Sequence, residues 1–174
     1  MEMTYLGRYT LTFDAARFTI KCPAGKPRFS GLATSSLPKL YVISVEGKSR
    51  PVYVGITKRT MGERLRIGWR ADGSSGYYGY AWRRHYSEAS MDVWCHVDAV
   101  DGDCHEIETV EAEVVYLIRQ AGQWPAHQTE IHFHPSTEVH RKVAAEIGAH
   151  FGLGLETEDD RLVVSSDRSF SSEC

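Results

Sequence analysis

The chain has 174 residues, enough for one ordinary domain with a real core. Its 42% apolar and 25% charged composition is that of a globular protein, and its apolar runs are only a few residues long, which excludes a bilayer-spanning helix. A net charge of −3 argues against a uniformly basic nucleic-acid binder, but the charge is unevenly spread. Nine Lys or Arg lie between Gly47 and Arg84 against Glu63 and Asp72, whereas seven acids and no Lys or Arg lie between Asp98 and Glu113. Local field rather than total charge governs association. Such a pattern suits either cations for phosphate beside carboxylates for a metal, or two solvated faces of opposite sign.

The start, MEMTYLGRYT, lacks the basic and apolar regions of a secretory signal. Cys22, Cys95, Cys104 and Cys174 are widely spaced without a CxxC pair. They read as reduced thiols of a cytoplasmic protein, not as a disulfide framework or zinc knuckle. In chain order, residues 1–37 hold two β-like stretches, YTLTF and RFTI, then a Gly/Pro/Ser-rich loop. LYVISV and PVYVGI are strands joined by the turn EGKSR, close enough for an antiparallel hairpin. Pro51 is tolerated at a strand start. Thr60 and Glu63 fit a capping box, so a helix is expected from about Thr60 to Ala71. DGSSG breaks it, and YYGYAWRRHY reads as a second short helix.

MDVWCHVDAV is expected as a strand and IETVEAEVVYLIRQAG as a helix stopped by Gly122. TEIHFH alternates and reads as a strand. A last helix is expected from Pro135-Ser136 to Phe151, with Val139, Val143, Ile147 and Phe151 along one stripe. The fold class is therefore α+β: a small, mainly antiparallel sheet flanked by helices. The expected division is an N-terminal β extension (1–37), a central domain with a C-terminal helix (38–151) and an acidic, Ser-rich tail (152–174).

One position stands out on physics alone. In the helix beginning at Ile107, the apolar stripe is Ile107, Val110, Val114, Leu117, Ile118 and Ala121, and Glu111 falls inside it. A buried carboxylate without a partner costs several kcal/mol, so Glu111 needs a metal, an arginine or a proton. Tyr41 and Tyr53 on the hairpin and Arg64 on the following helix complete a set able to cut a phosphodiester with one divalent metal. Packed strand tyrosines and a structural ion pair are the plainer alternatives.

These residues resemble the GIY-YIG nuclease domain over roughly Lys39 to Gln128, about half of the chain. Tyr53-Val54-Gly55 stands for the second signature, whereas Lys39-Leu40-Tyr41 retains only the tyrosine of the first. The family's helical arginine corresponds to Arg64 in GERLR, and its glutamate to Glu111 ahead of Val114 and Val115. Gln128, after Trp124-Pro125-Ala126-His127, replaces the usual asparagine, and Gly68 replaces a frequent histidine.

The resemblance implies a Mg²⁺- (or Mn²⁺-) dependent DNA endonuclease, with RNA not excluded as substrate. In it Glu111 holds the metal, Arg64 contacts phosphate, Tyr41 is the general base and Tyr53 orients water or phosphate. For Tyr41 this requires cations to lower a phenol pKa of about 10. Lys58, Arg59, Arg66, Arg70, Arg83 and Arg84 are the expected nucleic-acid contacts. Tyr77, Tyr78, Tyr80 and Trp82 either stack on bases or fill the core. Gln128 and His132 are expected to support the site. His127, His132 and His134 without a third ligand at fixed spacing are a weak zinc pattern. The competing functions are a nucleic-acid-binding module without activity and an unrelated α+β protein with a histidine-based metal site.

Overall fold

The structure, a computed structural model, describes residues 1–14, 16–45, 51–72, 74, 79–100, 104–128 and 130–154. Five strands, β1 (Met3–Phe13), β2 (Phe18–Lys21), β3 (Lys39–Ser44), β4 (Pro51–Thr57) and β5 (Glu88–His96), form one antiparallel sheet in the order β2-β1-β5-β3-β4. Three α-helices, α1 (Met61–Arg70), α2 (His105–Gln120) and α3 (Glu138–Ala149), cover it, with short 3₁₀ turns at Gly31–Thr34 and Ala81–Arg84. The α+β class is as the sequence predicts. The N-terminal hairpin belongs to the same sheet, because β1 pairs with β5 from Met3 to Thr12. Of the expected tail, residues 152–154 are described, with Leu153 buried against the α2–α3 core, and the rest, with any strand within it, lies outside the described residues.

Each face of the sheet has its own core, as alternating side chains dictate. On one face Tyr9, Leu11, Tyr41, Ile43, Met91 and Val93 pack with Leu65 and Trp69 of α1 and with Trp82. On the other, Leu40, Val42, Val54 and Trp94 pack against Ile107, Val110, Val114 and Ile118 of α2 and Val143 and Ile147 of α3. Helix α1 starts at the expected cap: the Thr60 hydroxyl accepts from the Glu63 N–H, and the Glu63 carboxylate accepts from the Thr60 N–H.

Three sequence expectations are corrected. YYGYAWRRHY contributes only the 3₁₀ turn over Ala81–Arg84, and Tyr77 and Tyr78 lie outside the described residues. The Ile131–His134 stretch forms no strand despite its alternation. The outer edge of β4 is already engaged by the preceding loop: the His127 N–H donates to the Val52 carbonyl and the Val54 N–H to Gln128 Oε1. In α3 the buried stripe is His140, Val143, Ala144 and Ile147, and Val139 is half exposed. Cys22 and Cys95 are buried thiols that form no disulfide, and Cys174 lies outside the described residues. No described helix is long and apolar enough to cross a membrane.

Candidate active site

The β3–β4 register decides where the phenols go. Tyr41 faces Gly55 and Ile43 faces Tyr53, so both tyrosines project from one face, with ring centroids 6.0 Å apart. The glycine of the YVG triplet is a steric requirement. A Cβ at Gly55 would stand 2.7 Å from the Tyr41 hydroxyl and 2.6 Å from the Tyr53 ring. Helix α1 packs over this face and delivers Arg64, whose Nε–H donates to the Tyr41 hydroxyl at 3.1 Å.

Tyr80 is the site residue the sequence left undecided between base stacking and core. It is buried, its hydroxyl 3.1 Å from that of Tyr41, and it donates to the Arg64 carbonyl at 3.3 Å. Arg64 Nε–H to Tyr41, Tyr41 O–H to Tyr80 and Tyr80 O–H back to Arg64 form a closed circuit that fixes the guanidinium. The Arg64 guanidinium carbon also lies 5.6 Å from the Tyr80 ring centre. Gly68 makes this possible, since a Cβ there would fall 2.1 Å from Tyr80 Cε2. The glycine at position 68 leaves the hole that Tyr80 fills.

Glu111 reaches the site from the other layer. It sits on the buried face of α2 and is only 5% exposed, as its place in the apolar stripe predicts. It lies close enough to Tyr53 for its charge to raise that phenol's pKa, and close enough to Arg64 for the guanidinium to lower its own. Groups from opposite layers meet here because β4 is the outermost strand. Gln128 joins them: its Oε1 accepts from the Val54 N–H at 3.0 Å, its Nε2 donates to the Glu130 carbonyl at 2.9 Å, and its amide favours the charged form of Glu111. Burial is the largest influence on Glu111, followed by the nearby Glu108 charge, and together they push its pKa up to about 8. Among the described residues no ion pair holds this carboxyl.

Tyr41 departs from expectation in one respect. It is fully buried, and burial raises its pKa well above that of a free phenol, with Tyr80 adding to the effect and Arg64 only partly opposing it. The anticipated lowering by cations is overridden by desolvation. Tyr53 is raised for the same first cause, but it keeps part of its surface open to solvent.

The expected nucleic-acid contacts separate into two groups. Arg59, Arg66, Arg70 and Arg84 are exposed and Lys58 is half-buried. Arg83 is committed to the fold: its guanidinium donates to the Gly68 and Ala71 carbonyls at the end of α1 and lies over Trp69. His132 is exposed, and its ring nitrogen lies 3.5 Å from Glu130, on the loop beyond Gln128 rather than within the Tyr41–Arg64–Glu111 group. Compared with family models, with curated proteins and with solved structures, the chain matches none.

Proposed function

We propose that the chain is a metal-dependent endonuclease of GIY-YIG type, hydrolysing DNA phosphodiesters at the Tyr41, Tyr53, Arg64 and Glu111 cluster. The observation that carries this reading is Glu111: a buried carboxyl on an apolar helix face, beside Tyr53 and Gln128, without an ion-pair partner among the described residues. A purely structural carboxyl would be paired or replaced by hydrocarbon. The donor chemistry suits Mg²⁺ or Mn²⁺, which accept a single carboxylate and retain several waters. When bound, the metal supplies charge neutralisation at the scissile phosphate and at the leaving 3′ oxygen.

The remaining work falls to the chain itself. Arg64, oriented by Tyr41 and Tyr80, presents a planar guanidinium to the phosphoryl oxygens. Tyr53 is the less buried of the two phenols and takes the water- or phosphate-orienting role, and fully buried Tyr41 acts by holding Arg64. Arg59, Arg66, Arg70 and Arg84 add salt-sensitive phosphate contacts.

The test is cleavage of supercoiled plasmid and of labelled duplex with Mg²⁺ or Mn²⁺, against the same reactions in EDTA. The expected result is metal-dependent nicking by the wild type and none by Glu111→Gln. Nicking retained in Glu111→Gln would overturn the assignment. DNA binding without cutting on every substrate would turn it toward a binding module.

A further inference from the structure

A second cluster lies one turn along α2 from Glu111 and involves none of the four residues assigned above. His105, Glu108 and His134 each offer one ligand atom, and these atoms lie within 4.8 Å of one another. Among the described residues this is the one group of three or more such side chains so arranged. His105 and Glu108 are spaced i, i+3 in the first turn of α2, so they share a helix face. His134 arrives from the 130–136 loop, with Nε2 2.6 Å from Glu108 Oε2 and its ring centre 4.4 Å from that of His105.

We propose that His105, Glu108 and His134 bind one Zn²⁺-class transition metal, distinct from the hard cation assigned to Glu111. Two imidazoles and one carboxylate are a borderline-soft donor set that zinc favours, and they leave a fourth position for water or a substrate oxygen. Zinc–nitrogen and zinc–oxygen bonds of roughly 2 Å put tetrahedral ligand atoms about 3.3 Å apart, so ligand atoms within 4.8 Å of one another have only a short way to close. The metal would take the place of the direct His134 Nε2–Glu108 Oε2 contact, any hydrogen on the ligating nitrogen leaving to solvent. The N-terminal end of α2 disfavours a cation, but Glu106 and Glu108 in its first turn offset this.

The neighbouring Glu106–His140 pair is an internal contrast. There Nε2 and Oε2 are 3.1 Å apart, but the other nitrogen of His140 accepts from the Thr137 N–H as a helix cap, and no third ligand is grouped with them among the described residues. The ion would fasten the loop that follows Gln128 to α2, tying this site mechanically to the one beside it.

The experiment uses the full chain, stripped with chelator, dialysed and titrated with Zn²⁺ and with Co²⁺ as spectroscopic probe. One tightly bound equivalent with a tetrahedral Co²⁺ visible spectrum is expected. His105→Ala and His134→Ala should each weaken binding at least about tenfold, while His132→Ala and Glu111→Gln leave it unchanged. His105 is exposed, so its variant removes a ligand without opening a cavity in the core. No saturable equivalent, or one that survives both His105→Ala and His134→Ala, would refute the site. Uptake lost only in Glu111→Gln would also refute it, by moving the ion to the neighbouring carboxyl. Because the readout is Zn²⁺ affinity, loss of nuclease activity alone does not bear on it.

Discussion

Two buried carboxylates, Asp92 on β5 and Glu111 on α2, have been handled in opposite ways. Asp92 is fully buried between strands, and its oxygens accept the Tyr5 hydroxyl at 2.5 Å and Arg8 Nε at 3.0 and 3.1 Å. The guanidinium lies against it while half of the Arg8 side chain remains in solvent. Glu111 is almost as buried, yet Arg64, the cation within electrostatic reach, directs its Nε–H to Tyr41. The fold completes one carboxylate and leaves the other wanting a proton or a metal. Burial alone therefore does not set Glu111 apart from Asp92; the lack of a direct ion pair among the described residues does, and the proposed function builds on that difference.

The largest expected effect follows from that asymmetry. Glu111→Gln should reduce Mg²⁺-dependent cleavage by about a thousandfold or more, a loss of roughly 4 kcal/mol in the barrier. Its stability should move the other way. The folded pKa of about 8 lies above the ordinary 4.5, so the folded state holds the extra proton between those values. Its contribution is full below pH 4.5, declines as pH rises, and is gone above pH 8. At about 1.4 kcal/mol per unit, the penalty at pH 9 reaches roughly 5 kcal/mol. Without added metal, Glu111→Gln should thus melt higher than wild type at pH 9 and no higher at pH 5, as followed by circular dichroism. The same proton sets metal uptake: Mg²⁺ affinity should climb about tenfold per pH unit up to pH 8 and then level off. A flat calorimetric titration over that range would remove Glu111 as the ligand.

Next in size is a variant that makes Asp92 resemble Glu111. Arg8→Met leaves the buried carboxylate without its cation, which should cost about 3 kcal/mol near neutral pH. Urea melts of the variant and the wild type near neutral pH give the answer, and an unchanged midpoint would mean that the Arg8–Asp92 contact adds nothing to stability. Cleavage by the folded fraction should be untouched, which separates this carboxylate from the other.

What was legible in the sequence was local. The Thr60–Glu63 cap, the hairpin that carries Tyr41 and Tyr53, and the place of Glu111 in an apolar stripe all follow from spacings of a few residues. What was not legible depends on distant pairing. β1 joins the sheet through β5, some ninety residues away in the chain, so it read as an extension. Asp92 sat unnoticed within MDVWCHV because β5 is buried on both faces there and alternation carries no signal. Tyr80 and Gly68 are legible only together, since the glycine matters because of the ring it admits. His134 looked like half of a strand pair with His132, whereas its partners are on α2.

A smaller effect tests the site's packing. Gly55→Ala drives a methyl against both phenols, at 2.6–2.8 Å, and should cost about 2 kcal/mol of stability. It should also lower cleavage more than the stability loss explains, because Tyr41 is the group that orients Arg64. Unchanged activity in Gly55→Ala would mean the phenol positions do not matter to catalysis.

The smallest effect distinguishes arginines that serve the fold from those offered to a polyanion. Arg66 is exposed on α1, whereas Arg83 donates to the last carbonyls of that helix. Arg66→Ala should leave the melting temperature unchanged and reduce the salt slope of DNA binding by about one. Arg83→Ala should lower stability by about 1 kcal/mol through the lost carbonyl bonds and the contact with Trp69. Fluorescence anisotropy across a salt series reads the first, and denaturant unfolding reads the second. If the roles came out reversed, the 3₁₀ turn would face the nucleic acid and α1 would not. The basic lobe would then have to be redrawn around Arg83 and Arg84.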